Sequence, residues 1–391
     1  MSQNFFQFYC PTKLVFNPGI SKDISAELSV YSLSKVFIIT DKMLLDLGVV
    51  APILEGLKGA GVEVAGIFKD VPPNSEIKVI QRAADEAIRS EADGVIAIGG
   101  GSVLDTAKGV DILLTHGGDL VNDYSGAETL PGPLKPLIAI PTTAGTGSEV
   151  THVAVILDEA THNKLSFVDR NLAPHLAVLD PELTVGLPPK LTAATAMDAL
   201  THSIESMTSI QANPVSDAFA ARAIPLICEN ILKAVKNGKD IDARGALMTA
   251  ATMAGVAFDH AMVGIIHGMS HSAGALAPVH HGTANSIFLP WGMEYNFEPC
   301  VKKYAEIASL MGVPVSGLSD EARARKAIEY ILQLRLNLHQ ECGLAYRLRD
   351  SGVREDQLDD IAEGAVNDGT SFYNPREVVK EEVLKQVKNA Y

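Results

Sequence analysis

The residues best suited to chemistry in this sequence are an aspartate and several histidines in its second half. Asp198 and His202 are four residues apart in TAMDALTHSIE, an Ala-rich segment without Gly or Pro. On a helix, this spacing places both side chains on one face, about one turn apart. His267 and His271 repeat the spacing in GIIHGMSH, and His281 follows in HHGTANSIFLP.

This set of side chains is typical of a metal centre. One carboxylate and three imidazoles suit a divalent first-row metal, Fe(II) or Zn(II), rather than Ca or Mg. One further His is also informative, because a catalytic metal site needs an open coordination position and a nearby proton carrier. A single His in an apolar helix is more often a core residue, and one Asp/His pair can be a simple hydrogen bond on a helix surface. Two such pairs, with another His beside small residues, favour the metal centre, and spacing alone goes no further.

Length and composition bound the class of protein. The 391 residues predict two domains, and 47% hydrophobic with 20% charged residues are enough for a large core. The formal net charge of -15 argues against nucleic acid and anionic membrane surfaces as partners. The start, MSQNFFQFYCPTK, lacks the pattern of a signal peptide, and no apolar run has the roughly 18 residues that a membrane span needs. Four distant cysteines without CxxC spacing predict reduced thiols, so we expect a cytoplasmic protein.

The first half of the chain alternates two kinds of segment. Segments with helical periodicity, LLDLGVVAPILEGLKGAG and EIKVIQRAADEAIRSEA, separate short apolar runs. This alternation predicts a mainly parallel sheet covered by helices on both faces. The predicted strands are 35–40, 62–68, 94–99, 136–141, 153–157 and 176–180.

The character of the sequence changes at 183–190, where Gly and Pro residues predict a joint. Ala/Leu/Met-rich helical segments fill the rest, and SGVREDQLDDIAEGAVNDG predicts a late helix. We therefore predict an α/β domain over 1–185 and an all-helical domain over 186–391. Near the N-terminus, FQFYCPTKLVFNPG predicts a hairpin, or an edge strand that pairs with another subunit.

A glycine-rich loop in the first half predicts nucleotide binding. In GGGSVLDTAKG, Gly99, Gly100 and Gly101 follow a strand and let the backbone approach a pyrophosphate. Ser102 and Asp105 predict a capping box, which points free N–H groups and the positive helix end at the same place. Glycine clusters also form ordinary tight turns, but here the strand before and the helix after are the context that the motif requires.

Two further segments extend the predicted nucleotide site. Asp41, at a strand end, is a candidate for the ribose hydroxyls and would favour NAD over NADP; it lies about 60 residues before the glycines, which departs from the usual order. Asp41 also suits a helix cap, and both roles are compatible. In PTTAGTGSEVT, hydroxyls and small residues suit hydrogen bonding along a cofactor, although such a loop can simply bond its own backbone. The candidates in this loop are Thr142, Thr143, Thr146 and Ser148.

Taken together and in this order, GGGSVLD, PTTAGTGSEVT, DALTHSIE, GIIHGMSH and HGTANSIFLP resemble the iron-containing (group III) alcohol dehydrogenases. The resemblance is closest to lactaldehyde reductase-like and 1,3-propanediol dehydrogenase-like members, and it runs from KLVFNPG to NPRE. It implies a variant Rossmann domain that binds NAD, followed by an all-helical metal-binding domain. It also implies a homodimer or a higher homo-oligomer.

The resemblance assigns roles to individual residues. It implies that the metal ligands are Asp198, His202, His267 and His281, that His271 lies near the nicotinamide and carries protons, and that His267 is catalytic as a ligand. It places three more residues along the cofactor: Asn74, Lys164 and Leu183. The sequence departs from relatives in the substrate region, because Thr370 stands where several have Cys and Val153 where some have a polar residue. Phe258 and Phe372 would add aromatic bulk to the same substrate pocket.

These assignments predict reversible hydride transfer between a short-chain alcohol or diol and nicotinamide C4, with the metal acting as a Lewis acid. An alternative is a lyase on the same scaffold, similar to dehydroquinate synthase, with NAD and zinc. Such a lyase needs Lys and Arg residues to hold a sugar phosphate, and 142–151 and 258–281 contain none. A third possibility is a binding protein without catalysis, against which the additional His271 argues.

Overall fold

The computed structural model of the protein describes residues 5–159 and 163–391. It forms two compact units, Tyr9–Gly186 and Met1–Phe8 with Leu187–Tyr391. The described strands all lie in the first unit, and the second is helical. The predicted fold class, an α/β part followed by a helical part, is confirmed; the domain limits 1–185 and 186–391 stay a prediction.

The described strands have these bounds: β1 Lys13–Phe16, β2 Lys35–Ile39, β3 Glu63–Phe68, β4 Gly94–Gly99, β5 Gly126–Ala127, β6 Leu137–Pro141, β7 Val153–Asp158, β8 Asn163–Val168 and β9 Leu176–Leu179. The helices of this unit are α1 Ser25–Leu28, α2 Lys42–Asp46, α3 Ala51–Gly59, α4 Ile77–Arg89, α5 Gly101–His116 and α6 Leu120–Tyr124. Short 3-10 helices lie at Ile20–Lys22, Ser29–Tyr31, Arg170–Leu172 and Pro181–Thr184.

Six strands form one parallel sheet in the order β1-β9-β6-β4-β2-β3. Successive side chains of β2 enter opposite cores: Phe37 and Ile39 pack into the cluster that contains residues of α4 and α5, whereas Val36 and Ile38 pack into the one that contains residues of α3. Because both faces are covered, the strands can be apolar at every position. This explains the continuous apolar runs in the sequence.

The strand order reverses direction between β2 and β4. The chain goes from β2 outward to β3 and then returns to β4 on the other side of β2. In open parallel sheets, ligands bind at the carboxyl ends of the strands at such a reversal. Here these ends carry Asp41 after β2 and the glycine loop after β4.

Two expectations for this unit were wrong. The run 153–157 is a strand, β7, but it belongs to a separate three-stranded sheet, where it pairs antiparallel with β8. Its burial alternates, so it is covered on one face only, and an all-apolar run does not reveal this. The segment with helical periodicity at 44–61 covers the end of α2 and all of α3, with Gly48 at φ +73° between the two helices.

The second error concerns the N-terminal hairpin. β1 pairs parallel with β9, Lys13 beside Leu176, and no hairpin partner precedes it among the described residues. The alternative of an edge strand is confirmed, since β1 is the first strand of the sheet.

The second unit consists of long helices packed side by side. They are α7 Pro189–Thr208, α8 Pro214–Lys236, α9 Ile241–Ala261, α10 Ile265–Leu276, α11 His281–Tyr295, α12 Phe297–Leu310, α13 Asp320–Cys342, α14 Leu358–Asn367 and α15 Lys380–Ala390. Short 3-10 helices lie at Leu348–Ser351, Glu355–Gln357 and Gly369–Tyr373. The late helix predicted from the sequence is α14.

Helix α7 is buried at every position from 192 to 208. Its small residues, mainly Ala, Ser and Thr, allow neighbouring helices to approach it closely, and hydroxyl groups bond back to helix carbonyls, as from Thr201 to Met197 and from Ser203 to Ala199. The polar side chains on this helix therefore lie inside the unit. In the described part of the chain, no single helix is long and apolar enough to span a membrane, although α9 and α10, bent by 104°, pass a length and composition test as a pair.

Candidate active site

Three side chains from three helices converge inside the second unit. Asp198 on α7, His267 on α10 and His281 at the start of α11 each offer one ligand atom, and these atoms all lie within 4.8 Å of one another. Asp198 Oδ1 is 3.6 Å from His281 Nε2 and 4.0 Å from His267 Nε2. Asp198 and His267 are buried, and His281 is partly exposed. This arrangement brings together three of the four predicted metal ligands.

The approach of α11 to α7 depends on the glycine after His281. A Cβ on Gly282 would lie 2.3 Å from the carbonyl oxygen of Ala194, a backbone atom, and 3.2 Å from Cβ of Asp198. Only glycine permits this close contact, so the packing of α11 on α7 requires a glycine beside His281.

His267 is held by a carboxylate that the sequence analysis did not single out. Glu205, also on α7, accepts a hydrogen bond from His267 Nδ1 at 2.5 Å, and both side chains are 3% exposed. An ionised carboxylate can only accept, so the Nδ1 atom carries the proton and Nε2 keeps its lone pair. That lone pair is on the nitrogen nearest to Asp198 and His281.

A buried amide faces the same three atoms. Asn285, one turn after His281 on α11, donates from Nδ2 to Asp198 Oδ1 at 2.6 Å. Its Nδ2 also lies 3.1 Å from His267 Nε2 and 3.2 Å from His281 Nε2. Asn285 therefore lies against the same three atoms that could hold a metal ion.

The fourth predicted ligand lies outside this group. The ring of His202 stacks on that of His267, with centroids 4.6 Å apart, and on that of Phe258 at 4.3 Å. The ligand-atom group of the described residues does not include it. Its role as a ligand stays a prediction.

His271, predicted to carry protons, is paired with an acid. Its Nδ1 donates to Asp368 at 3.0 Å, and its ring stacks on that of His281 at 5.3 Å. Asp368 also accepts from the Thr370 hydroxyl at 2.6 Å. Burial alone would raise the pKa of Asp368, but the hydrogen bonds from His271 and Thr370 outweigh it and hold the pKa well below its usual range. This ionised acid orients His271 with Nε2 directed away from the pair.

The donor set fits a divalent metal. A carboxylate oxygen and two imidazole Nε2 atoms are a ligand combination that Fe(II) and Zn(II) accept. The tautomer of His267 is the one that a ligand needs, because its second nitrogen is engaged by Glu205.

In the first unit, the glycine loop and the Thr-rich loop lie against each other. Thr142 N donates to Gly99 O at 3.0 Å. A Cβ on Gly100 would lie 3.3 Å from Thr143, and one on Gly101 would lie 2.6 Å from Thr146. The structure thus brings these predicted cofactor residues together at the start of α5.

The predicted capping box is wrong. Gly100 is the N-cap of α5, without a side-chain cap, and the Ser102 hydroxyl donates to the carbonyl of Pro73 at 2.5 Å. Asp105 points elsewhere: it accepts from the Ser148 hydroxyl at 2.7 Å and from Val155 N at 3.1 Å. The helix end is therefore free of side-chain caps and fits a phosphate group, with glycines where a Cβ would fill the space.

Lys108 is fully buried and Asp105, one turn earlier on α5, is partly buried; both form a support for the Thr-rich loop. Burial raises the pKa of Asp105, while Lys108 and the bond from Ser148 oppose this. Lys108 Nζ donates to the carbonyls of Thr151 at 2.9 Å and Val153 at 2.7 Å. Both charges hold this segment on α5, so Asp105 acts on the loop and not on the helix end.

The other predicted cofactor residues are spread over the first unit. Asp41 caps α2 by accepting from Leu44 N at 2.9 Å, which confirms its capping role. Asn74 is exposed and follows Pro73, whose carbonyl accepts a hydrogen bond from the Ser102 hydroxyl. Lys164, on β8, interacts electrostatically with Asp105. Leu183 packs against one face of the sheet. Their contacts with a cofactor stay a prediction.

The predicted substrate residues have different surroundings. Val153 is the first residue of β7, and its carbonyl accepts a hydrogen bond from Lys108 Nζ. The ring of Phe258 stacks on that of His202, and the Thr370 hydroxyl donates to Asp368. Phe372 is 81% exposed. Their contact with substrate stays a prediction.

Comparison with known proteins decides the family. A sequence profile of the iron-containing alcohol dehydrogenases matches residues 11–181, and a profile of the C-terminal part of the Fe-containing alcohol dehydrogenase family matches residues 192–391. The chain belongs to the iron-containing alcohol dehydrogenase family. Within it, 1,3-propanediol dehydrogenase of Klebsiella pneumoniae is 39% identical over the whole of both chains. NAD-dependent methanol dehydrogenase of Bacillus methanolicus is 37% identical over 98% of this chain and 99% of its own.

Solved structures of the family agree with this assignment. A crystal structure of 1,3-propanediol oxidoreductase superimposes with a TM-score of 0.95 at 39% identity, covering 99% of this chain and all of its own. The family implies NAD and a divalent metal, and the chain is an oxidoreductase of the alcohol dehydrogenase type. The lyase alternative is not favoured.

Three contacting residues in the helical unit were missed from the sequence: Glu205, Asn285 and Asp368. Glu205 and Asn285 follow the predicted ligands His202 and His281 by three and four positions, so helical spacing could have suggested them. Asp368 lies 97 positions from His271, and no local signal connects the two.

Proposed function

We propose that this dehydrogenase interconverts a short-chain alcohol or diol and its aldehyde by hydride transfer to and from NAD. The relatives at 37–39% identity are named for methanol and 1,3-propanediol, and lactaldehyde reductase of Escherichia coli is 36% identical. These names share small, short-chain substrates. The convergence of Asp198, His267 and His281 carries the proposal, because it supplies a place for a metal beside a partly exposed His.

We assign the ligand role to Asp198, His202, His267 and His281, with Fe(II) as the resident ion and Zn(II) as the alternative. A divalent ion at this place supplies Lewis acidity toward the alcohol oxygen. The chain itself contributes the orientation of the ligands through Glu205 and Asn285.

We assign proton transfer to His271. Its Nδ1 is engaged by Asp368, so Nε2 is the atom that accepts or releases a proton. The ionised state of Asp368 supports a protonated imidazole during turnover. His271 thus has the orientation that a general base requires.

We assign NAD binding to the carboxyl ends of β2 and β4. Gly99, Gly100 and Gly101 with the uncapped start of α5 would hold the pyrophosphate. The carboxylate of Asp41 would accept from the adenosine ribose hydroxyls and disfavour NADP. Asn74, Ser102, Thr142, Thr143, Thr146, Ser148, Lys164 and Leu183 complete the proposed set, with Asp105 acting through Ser148.

We propose a cytoplasmic homodimer. The edge strand β1 presents exposed Leu14 and Phe16, and the preceding segment exposes Phe5 and Tyr9. Apolar side chains on an unpaired strand edge favour pairing with a second copy.

The test uses two adjacent histidines. His281→Ala should lose bound metal and NADH production together, because one of three converging ligand atoms is gone. His280→Ala is the matched control, since His280 is exposed at the N-cap of α11 and should retain metal.

Metal content is measured after anaerobic purification. Turnover is measured with NAD and a panel of methanol, 1,2-propanediol and 1,3-propanediol. Full turnover and full metal content in His281→Ala would refute the ligand assignment. Absence of NADH production with every alcohol tested would refute the proposed substrate class.

A further inference from the structure

We propose that Glu205 is a positioning residue that sets the tautomer of His267 and thereby the metal affinity of the site. The inference rests on the proposed metal site. Glu205 shares helix α7 with the proposed ligands Asp198 and His202, so this helix would also supply the group that orients a ligand on another helix.

The contacts of Glu205 give it two separable tasks. One carboxylate oxygen accepts from Ile266 N at 2.8 Å, and the other accepts from His267 N at 3.3 Å and from His267 Nδ1 at 2.5 Å. The two backbone bonds cap α10, whose N-cap is Gly264 and has no side-chain cap. The side-chain bond fixes the imidazole.

The negative charge of the Glu205 carboxylate lies at the N-terminus of α10, where it is favourable. A carboxylate at a helix N-terminus satisfies free N–H groups and interacts well with the helix dipole. Space there is limited, because a Cβ on Gly264 would lie 3.1 Å from Glu205 Oε1 and 3.0 Å from Asn374 Oδ1. The three hydrogen bonds from Ile266 and His267 hold the carboxylate beside the ring of His267.

The imidazole bond has a chemical consequence. Because Glu205 accepts from Nδ1, the neutral ring keeps its lone pair on Nε2, which is 4.0 Å from Asp198 Oδ1. The other tautomer would place a hydrogen on Nε2 and remove the lone pair that would bind a metal. Carboxylate partners of this kind typically change metal affinity about 10- to 100-fold.

Glu205→Gln separates the two tasks. The amide oxygen of the variant can still accept from Ile266 N, so the cap is partly kept. Its NH2 group then faces His267 Nδ1, which has to accept, and the ring hydrogen moves to Nε2. Asn374→Ala is the matched control, because Asn374 Oδ1 accepts from Ile265 N at 3.3 Å at the same helix end without touching His267.

The experiment uses the full-length protein after removal of metal with a chelator. Zn(II) affinity is measured by competition with a chromophoric chelator, and the ligand field by the visible spectrum of the Co(II)-loaded protein. We expect Glu205→Gln to bind Zn(II) about 10- to 100-fold more weakly and to change the Co(II) spectrum. Asn374→Ala should lower the melting temperature but leave both metal readouts unchanged.

A second measurement does not use Glu205→Gln. In metal-free wild-type protein labelled with ¹⁵N-histidine, His267, assigned by comparison with His267→Asn, should carry its hydrogen on Nδ1. A hydrogen on Nε2 would overturn the inference.

The outcomes also distinguish this inference from the proposed function. Equal Zn(II) affinity of wild type and Glu205→Gln overturns the role of Glu205 and leaves the metal site intact. Absence of Zn(II) binding by the wild type overturns both.

Discussion

Buried charged groups do different things in the two units of this dehydrogenase. In the first unit, Lys108 and Asp105 are bonded to backbone atoms and hydroxyls of residues 148–155. In the second, Asp198, His267 and His281 direct electron-rich atoms at one another. A buried charge that is satisfied by backbone supports a loop, whereas acceptors that converge from several helices suit a cation.

The two candidate sites consequently depend on different kinds of residue. The nucleotide side consists of backbone and small residues, so its shape is set by glycines. The metal side consists of side chains from three helices, so its shape is set by how closely those helices approach. Substitutions of glycine by alanine on each side test this difference directly.

The largest effect is expected for Gly282→Ala. The new Cβ would meet the Ala194 carbonyl oxygen at 2.3 Å, and a backbone atom cannot turn aside, so α11 must move away from α7. We expect loss of bound metal and of activity, with a stability cost of about 1–3 kcal/mol. Metal analysis measures the loss of bound metal, and urea unfolding measures the stability cost.

Gly274→Ala on α10 is the control for this prediction. Its nearest contact would be an ordinary 3.8 Å to Val279 O, so metal content should be retained. Wild-type metal content in Gly282→Ala would show that helix approach does not set the metal site.

A smaller effect is expected for Gly101→Ala on the nucleotide side. The Cβ would lie 2.6 Å from Cγ2 of Thr146, which displaces the Thr-rich loop. We expect the Kd for NAD to rise about tenfold, roughly 1.4 kcal/mol, with metal content unchanged. Fluorescence titration of NADH measures the Kd for the reduced cofactor, and calorimetry the Kd for NAD.

The control is Gly59→Ala, in α3 of the same unit, where no atom lies within 4 Å of the new Cβ. Unchanged NAD affinity in Gly101→Ala would contradict the proposed role of the glycine loop. A loss of metal in the same variant would contradict the expectation that this glycine affects cofactor binding alone.

The smallest effect on activity is expected for Asp111→Asn in α5. Burial raises the pKa of Asp111 from 3.8 to about 8, opposed by the hydrogen bond from Thr115. Between these values the folded protein binds a proton that the unfolded chain has released, so stability falls as the pH rises. The loss is at most about 1.4 kcal/mol per pH unit for one group.

Asn cannot ionise, so Asp111→Asn should be more stable than the wild type near pH 8 and should lose this advantage toward about pH 4. Thermal unfolding of both proteins across this range measures the difference, and turnover should not change. Parallel stability curves would show that Asp111 is already ionised in the folded protein.

Much of the fold was predictable because it depends on local patterns. The runs at 35–40, 94–99 and 136–141 became β2, β4 and β6, since strands buried on both faces are apolar throughout. The same property misled at 153–157, where a strand covered on one face also happens to be apolar. No residue in that run indicates which sheet it joins.

The site was predictable to the extent that its residues are helical neighbours. Asp198 and His202, or His267 and His271, share a helix face because of the four-residue spacing. Which of these atoms converge was not predictable, and Glu205 went unnoticed because its partner His267 lies 62 positions away. The capping box at Ser102 failed for a similar reason, since Asp105 is bonded to Ser148, 43 positions away.

The sequence by itself determined the order of elements, the glycine loop between a strand and a helix, and the helix faces that carry the acid and the imidazoles. These follow from interactions between residues a few positions apart, which spacing records. Only the tertiary structure decided which side chains meet: Asp198 with His267 and His281, Glu205 with His267, and His271 with Asp368. Such contacts depend on how closely helices pack, and packing is set by many distant residues together.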